Sequence, residues 1–330
     1  MLPELKGLPL LRRRALIASA FAATAAIGLT ACSENGSGAS DAGGSDAGGS
    51  DGGGDALDAV QISDDLAAEP TVSFSAPLEI SAPSARIIVP GDGEKIADGD
   101  HIIWRSMYVD AQSGETLQSW WQGAPASGVT VSADALGAEA HSFLTTVPIG
   151  SRFAMAGWQQ DQSGQARALV QVADVDRKID PLRADGEPGH PSGDFPAVTL
   201  DENGAPSLDG QPEGDPPAET TLETLIVGAG EPTREGDYLT MQYTGWSWSD
   251  GKQFDSSWER GQPFGFTQGL GQVIAGWDQH LVDIPVGSQV MLVIPPKDAY
   301  GEEKNEQQPL AGQTLIFVID VLDAARRHEG

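Results

Sequence analysis

The chain has one cysteine in 330 residues, Cys32, so no intrachain disulfide can form. Its five histidines (His101, His141, His190, His280, His328) are scattered, and none pairs with another at the spacing of a metal site. Basic residues are few: 19 Lys and Arg stand against 48 Asp and Glu, a net charge of −29. The one basic excess lies in the first 32 residues, so the rest of the chain repels a nucleic-acid backbone or an anionic lipid surface. Sustained helical periodicity is missing after residue 70, which excludes a helical bundle. Aromatic residues make up only 6% of the chain, yet they crowd into the stretch from Gly236 to Trp277. Few histidines, cysteines or paired acids accompany them there, a composition suited to gripping something apolar and not to moving protons or holding a metal.

Near the start, Arg12-Arg13-Arg14 precedes an Ala-rich apolar run from Ala15 that ends in Leu29-Thr30-Ala31-Cys32. A charged start, a short apolar run and small residues at its end describe an export signal, and the run is marginal in length for a spanning helix. Its border resembles the lipobox of bacterial lipoproteins, in which the cysteine becomes the lipidated first residue of the mature protein. The resemblance implies a signal peptide over residues 1–31, lipidation of Cys32, and an exported protein on the extracytoplasmic face, attached to the membrane through its lipid anchor only.

A prior of about 150 residues per domain suggests two domains. Residues 32–70, dominated by Gly, Ser, Ala and Asp, and residues 181–217, rich in Pro, Gly, Asp and Glu, are expected to be linkers. Such compositions bury too little apolar surface to offset the entropy of ordering. Elsewhere, short β-branched and aromatic runs broken by Gly, Pro and Asp read as antiparallel strands.

The regions 71–180 and 218–325 repeat one another. At a constant offset of 137, Gly99-Asp100 falls on Gly236-Asp237, Gly114 on Gly251, Trp121 on Trp258 and Pro148-Ile149-Gly150-Ser151 on Pro285-Val286-Gly287-Ser288. After a loop of different length, Leu169–Val175 falls on Leu315–Val321 at an offset of 146. The expected fold is α+β: two like domains, each a bent antiparallel sheet around a short helix. In the second copy, strands are expected near 222–228, 237–248, 264–268, 288–295 and 313–322. A helix is expected over 273–282, where Val273, Ile274, Trp277 and Leu281 recur at three- and four-residue spacing. One short helix against a bent sheet leaves a hollow between them.

The second copy contains Tyr243-Thr244-Gly245, Gly251-Lys252-Gln253-Phe254-Asp255-Ser256-Ser257, Pro263-Phe264, Val273-Ile274-Ala275-Gly276-Trp277, Ala299-Tyr300-Gly301 and Thr314-Leu315-Ile316-Phe317. In this order they resemble FKBP-type peptidyl-prolyl cis-trans isomerases, over about residues 218–324. The resemblance implies catalysis of X–Pro rotation in proline-containing unfolded or folding polypeptides, with macrolide-type inhibitors as further ligands and no cofactor or metal. It makes Trp277 the pocket floor and Tyr243, Phe254, Phe264 and Phe317 its walls, with Val273 and Ile274 at the rim. The Ile274 N–H and the Tyr300 hydroxyl would each hold a substrate carbonyl. Asp255, held by Tyr243 and Arg260, would lie near the carbonyl of the rotating bond. The loop 302–312 departs from the family with Asn305, Gln307, Gln308, Pro309 and Leu310 where a more apolar flap is common.

Taken singly, these aromatics are ordinary core residues, and Asp255 is an ordinary turn residue. The first copy argues for the pocket, because it keeps the turn glycines and replaces the pocket positions: Ser106 for Tyr243, Leu117 for Phe254, Gln118 for Asp255, Gly123 for Arg260, Ser127 for Phe264, Gly137 for Ile274, Ala140 for Trp277 and Gln171 for Phe317. Aromatics serving only as core filler should have left comparable bulk there. The competing reading is a lipid-anchored chaperone or binding protein without catalysis, which exposed Trp120, Trp121 and Trp158 would favour. The lipid anchor is tested by Cys32→Ala, which is expected to move the protein from the membrane to the soluble exported fraction in a fractionation assay; retention on the membrane refutes the lipobox reading.

Overall fold

The computed structural model describes residues 55–160, 165–192, 195–304 and 306–328. The expected export signal and Cys32 lie outside them. The first unit contributes β1 (Ser84–Val89), β2 (His101–Asp110), β3 (Thr116–Ser119), β4 (Ser127–Thr130), helices α1 (Ala133–Leu136) and α2 (Ala138–Leu144), β5 (Arg152–Gln160) and β6 (Ala166–Ile179). The second contributes β7 (Thr221–Val227), β8 (Tyr238–Ser247), β9 (Gln253–Ser256), α3 (Ser257–Arg260), β10 (Phe264–Thr267), α4 (Ala275–His280), β11 (Gln289–Ile294) and β12 (Leu315–Ala325). The strand β9 is absent from the sequence-based expectation, because its four residues alternate too briefly to register. The helix is shorter than expected at both ends.

The two sheets share one plan. The first runs β1-β5-β6-β2-β3 with β4 also on β2; the second runs β7-β11-β12-β8-β9 with β10 also on β8. All these pairings are antiparallel. Register agrees as well: Met107 opposes Ser119 as Thr244 opposes Ser256, and His101 opposes Thr130 as Tyr238 opposes Thr267. The register break at Ile103/Trp104 recurs at Thr240/Met241, and that at Tyr108/Val109 recurs at Gly245/Trp246. An added residue bends a strand and sharpens its twist, so shared bulges give both sheets the same curl around their helix. The loop that differs in length joins β5 to β6 in the first unit and β11 to β12 in the second.

One face of each sheet packs on the helix. In the second unit Leu239, Met241, Tyr243, Val290, Leu292, Phe317 and Ile319 meet Trp277 and Leu281. The opposite faces are covered by the segments expected to be linkers, and that expectation is corrected for the described parts of both. Residues 55–80 lay Leu57, Val60, Leu78 and Ile80 on Met107, Val109, Val170 and Val172. Residues 181–217 pair Glu187–Pro188 with β7, fold Val198–Leu200 against Pro206–Leu208, and set Phe195, Val198 and Leu208 on Trp246, Met291, Val293 and Val318. A few apolar anchors on a preformed sheet suffice, where average composition indicated none.

Each covering segment is also pinned by a buried aspartate of the last strand. In the first unit Asp174 binds the fully buried Arg152 guanidinium at 2.7 and 2.9 Å, and Arg152 donates to the carbonyls of Ser63, Asp65 and Ala68. In the second, Gln289 replaces Arg152 and donates to Asp320 at 2.7 Å, while Asp320 accepts the Ala184 N–H directly at 2.7 Å. The units meet through Ile103, Ala126 and Ile179 on one side and Tyr238, Leu322 and Ala325 on the other, beside a two-bond Arg177–Asp323 ion pair at 2.9 and 2.7 Å. Trp120 packs into this seam and donates to the Arg326 carbonyl at 3.2 Å; Trp121 and Trp158 pack against the cluster under residues 55–80. The tryptophans that free exposure would have made a binding surface are therefore committed to packing.

Burial raises the Asp320 carboxyl to about 6, against which the bonds from Ala184 and Gln289 and the Arg183 charge work only partly. A pKa raised by folding contributes stability that is complete below about 3.8, the unfolded value, and is lost as pH rises through about 6. Asp320→Asn, whose amide can still accept from Ala184, is expected to melt at or above the wild type at pH 7.5 and to narrow that difference at pH 4.5. A lower melting temperature for the variant at pH 7.5 would contradict this.

Candidate functional site

A hollow of about 290 Å³ opens between α4, the sheet and the loop before β12. Phe264, Val273, Ile274, Trp277, Tyr300 and Phe317 line it, together with Gly271, Gln272, Ala275 and Ala299. The floor indole of Trp277 is 3% exposed, and its Nε1 donor is buried without a partner among the described residues. Phe317 meets it edge-on at 5.1 Å and Phe264 at 6.1 Å. Gly276 lets α4 sit down on the sheet, since a Cβ there would lie 2.6 Å from Ile294.

Tyr243 and Phe254, expected as walls, stand behind the lining. Tyr243 is fully buried, and its ring meets Trp277 at 5.1 Å, Phe264 at 5.9 Å and Phe317 at 6.3 Å, so those three rings cover it from the hollow. Phe254 backs Phe317 edge-on at 5.5 Å. The close approach of Phe254 and Phe317 depends on Gly245, where a Cβ would lie 2.6 and 2.8 Å from their rings. The sequence motif Tyr243-Thr244-Gly245 includes this glycine without assigning it a role; a glycine inside a strand of β-branched and aromatic residues is the signal that points to a close approach.

Beside the hollow lies a charged group. The Tyr243 hydroxyl donates to Asp255 Oδ2 at 2.6 Å and accepts from Arg260 at 2.8 Å, while Arg260 also bonds Asp255 Oδ1. The turn α3 follows β9 directly, which sets Arg260 back over the Tyr243 ring at 5.3 Å. Buried Ser257 holds that turn by donating to Gln242 and accepting the Tyr243 N–H at 2.8 Å. Burial and the hydrogen bond to Asp255 push the Tyr243 hydroxyl far above the usual phenol range. Tyr300 is pushed up to about 12, by burial first and then by the negative charge of Asp255 nearby. Both phenols remain protonated donors at neutral pH. At the rim, the Ile274 carbonyl starts α4 by accepting from Trp277 at 2.9 Å and Asp278 at 3.1 Å. The structure thus brings together Tyr243, Asp255, Arg260 and Tyr300 at one end, and Val273, Ile274, Phe264, Trp277 and Phe317 around the hollow. Among the described residues no three His, Cys, Asp or Glu converge as metal ligands do.

The first unit places different side chains at the corresponding positions. Tyr108 stands where Gly245 does and accepts from Gln171, the counterpart of Phe317, at 3.1 Å. Phe153 meets Trp104 and Phe143 in edge contacts of 5.8 Å each, within the core of that unit. Aromatic bulk was therefore kept and relocated, contrary to the expectation that it was lost.

Residues 230–322 match the model of the family described as FKBP-type peptidyl-prolyl cis-trans isomerase. An FK506-binding protein of Streptomyces anulatus is 40% identical over 112 residues, 34% of this chain and 90% of that protein. A probable FK506-binding protein of Corynebacterium glutamicum is 40% identical over 113 residues, 34% of this chain and 93% of its own length. The human peptidyl-prolyl cis-trans isomerase FKBP2 is 45% identical over 97 residues, 29% of this chain and 68% of that protein. The chain belongs to the FKBP-type peptidyl-prolyl cis-trans isomerase family.

Gly245→Ala tests what keeps the hollow open. The added methyl must displace Phe254 and Phe317, an overpacking that costs about 1–3 kcal/mol, and a drop in melting temperature with weakened binding of a proline peptide by calorimetry is expected. Unchanged binding would show that the rings are free to move without closing the hollow.

Proposed function

We propose that the protein is a peptidyl-prolyl isomerase of exported polypeptides, acting through the hollow of the second unit, with the first unit a catalytically silent FKBP-like domain and Cys32 a lipid anchor on the extracytoplasmic face. Macrolide-type ligands would compete for the same hollow. The observation that carries the catalytic reading is the union of an aromatic hollow with the Tyr243–Asp255–Arg260 group and the protonated Tyr300 at one end of it.

Rotation about an X–Pro amide breaks no bond, but resonance sets a barrier of about 18–20 kcal/mol. The twisted amide loses that resonance, its nitrogen becomes pyramidal, and its carbonyl behaves like a ketone. An apolar hollow that seats the pyrrolidine ring and strips water from the carbonyl favours this state over either planar form. The carbonyl of the rotating bond lies toward Asp255, whose charge is compensated by Arg260, while Tyr300 and the Ile274 N–H hold flanking carbonyls and prevent the chain on either side from turning with it. No proton changes hands, so rotation should be insensitive to the ionisation of either tyrosine across neutral pH.

The rival reading, a binding protein without catalysis, loses its main support with the burial of Trp120, Trp121 and Trp158. Asp255→Ala in the full chain separates the two. It removes a carboxylate that is 20% exposed and little apolar bulk, so the fold should hold within about 1 kcal/mol. Turnover of an Ala-Leu-Pro-Phe peptide, followed by exchange NMR, is expected to fall about tenfold or more, equivalent to about 1.4 kcal/mol per tenfold. Trp277→Leu, which keeps an apolar floor, should also fold and should weaken peptide binding. Full turnover in folded Asp255→Ala would remove Asp255 from the mechanism, and a wild-type chain that binds the peptide without accelerating exchange would establish the rival.

A further inference from the structure

We infer that Leu270 is a specificity-determining contact that receives an apolar side chain on the C-terminal side of the substrate proline. The inference rests on the isomerase reading of the hollow and adds a subsite to it.

Leu270 is 61% exposed, the most exposed of the large hydrophobics among the described residues. It sits at the mouth of the hollow, next to Gly271 and Gln272, which line it. A single exposed leucine is ordinary on a loop that can fold it back. This loop cannot, because its backbone is held at nearly every residue. The Asp278 carboxylate accepts the Gly269 N–H at 2.8 Å and the Gly271 N–H at 2.9 Å, one bond on each side of Leu270. Gln268, fully buried, donates to the Asp278 carbonyl at 2.6 Å, and Gln272 accepts the Thr267 N–H at 2.9 Å. Gly269 and Gly271 both take positive φ, +81° and +65°, so the chain makes two turns that a side chain would resist, with the leucine alone between them. The result is an apolar side chain presented rigidly to solvent beside an apolar hollow, at a low entropic cost of binding.

The first unit gives the comparison. Its counterpart of Leu270 is Ala133, in α1, and Leu136 of the same segment turns into the core with 3% exposure. At this place in the first unit the loop has become a helix, and its large apolar residue is buried. The direction of the bound chain is taken from the isomerase reading. With the rotating carbonyl toward Asp255 and a later carbonyl at the Ile274 N–H, the residues after proline leave along Val273, Gln272 and Gly271 toward Leu270.

The test uses the full chain and two peptide series, Ala-Leu-Pro-Leu-Leu and Ala-Leu-Pro-Ser-Ser, with exchange NMR for turnover and calorimetry for binding. The wild type is expected to favour the leucine series by about five- to tenfold, the scale of one partly exposed apolar contact. Leu270→Ser should bring that ratio to within about twofold of unity, and Leu270→Lys should shift preference toward a third peptide bearing aspartate after the proline. Exposure of the residue makes either variant safe for folding, which thermal melting checks. A ratio unchanged in folded Leu270→Ser overturns the inference even if turnover is normal. Selective binding that depends on Leu270 without any turnover would uphold the subsite and refute the isomerase reading instead.

Discussion

The buried phenol of Tyr243 joins the fold to the site. Its ring is the common backing for Trp277, Phe264 and Phe317, while its hydroxyl joins Asp255 and Arg260. Edge contacts of this kind add about 0.5–1.5 kcal/mol per pair beyond burial, so the ring holds three lining residues in place. A phenol is also the side chain that can do both tasks, apolar along most of its length and a donor at its tip. Phenylalanine there would keep the ring backing and remove one hydrogen-bond partner each from Arg260 and Asp255, leaving only their direct ion pair.

The two sheets show how one topology accepts two interiors. Strand order, register and the positions of the bulges are the same, so the curl that makes room for a helix is common to both. What fills that room differs by a few positions. Gly245 admits two aromatic rings from the side and leaves space above the floor, whereas Tyr108 occupies the equivalent volume itself. The same economy recurs on the outer faces, where a buried aspartate at matching positions, Asp174 and Asp320, holds the covering segment through an arginine in one unit and directly in the other.

Local patterns made much of this legible in the sequence. Alternating β-branched runs, turn glycines and the Pro-Val-Gly-Ser corner located most strands and both copies, and the aromatic order around Val273–Trp277 located the hollow. Three features escaped for one physical reason: they depend on contacts distant in sequence. The described parts of 55–70 and 181–217 are ordered because Leu57, Phe195 and Leu208 pack on a sheet face, which composition within the segment does not reveal. Trp120, Trp121 and Trp158 are half-buried because of neighbours far along the chain, Trp120 against Arg326 among them. Tyr243 moved from wall to support because rings on other elements stand in front of it. A residue's type named the chemistry, and only the packing decided its layer.

The apolar lining of a hollow lacks the contacts that a filled core has. Whatever fits the 290 Å³ between Trp277 and Tyr300 supplies those contacts and so holds the second unit folded; by mass action a ligand at a hundred times its dissociation constant adds about 2.7 kcal/mol. A ligand seated there would therefore raise the heat resistance of the unit that carries the hollow.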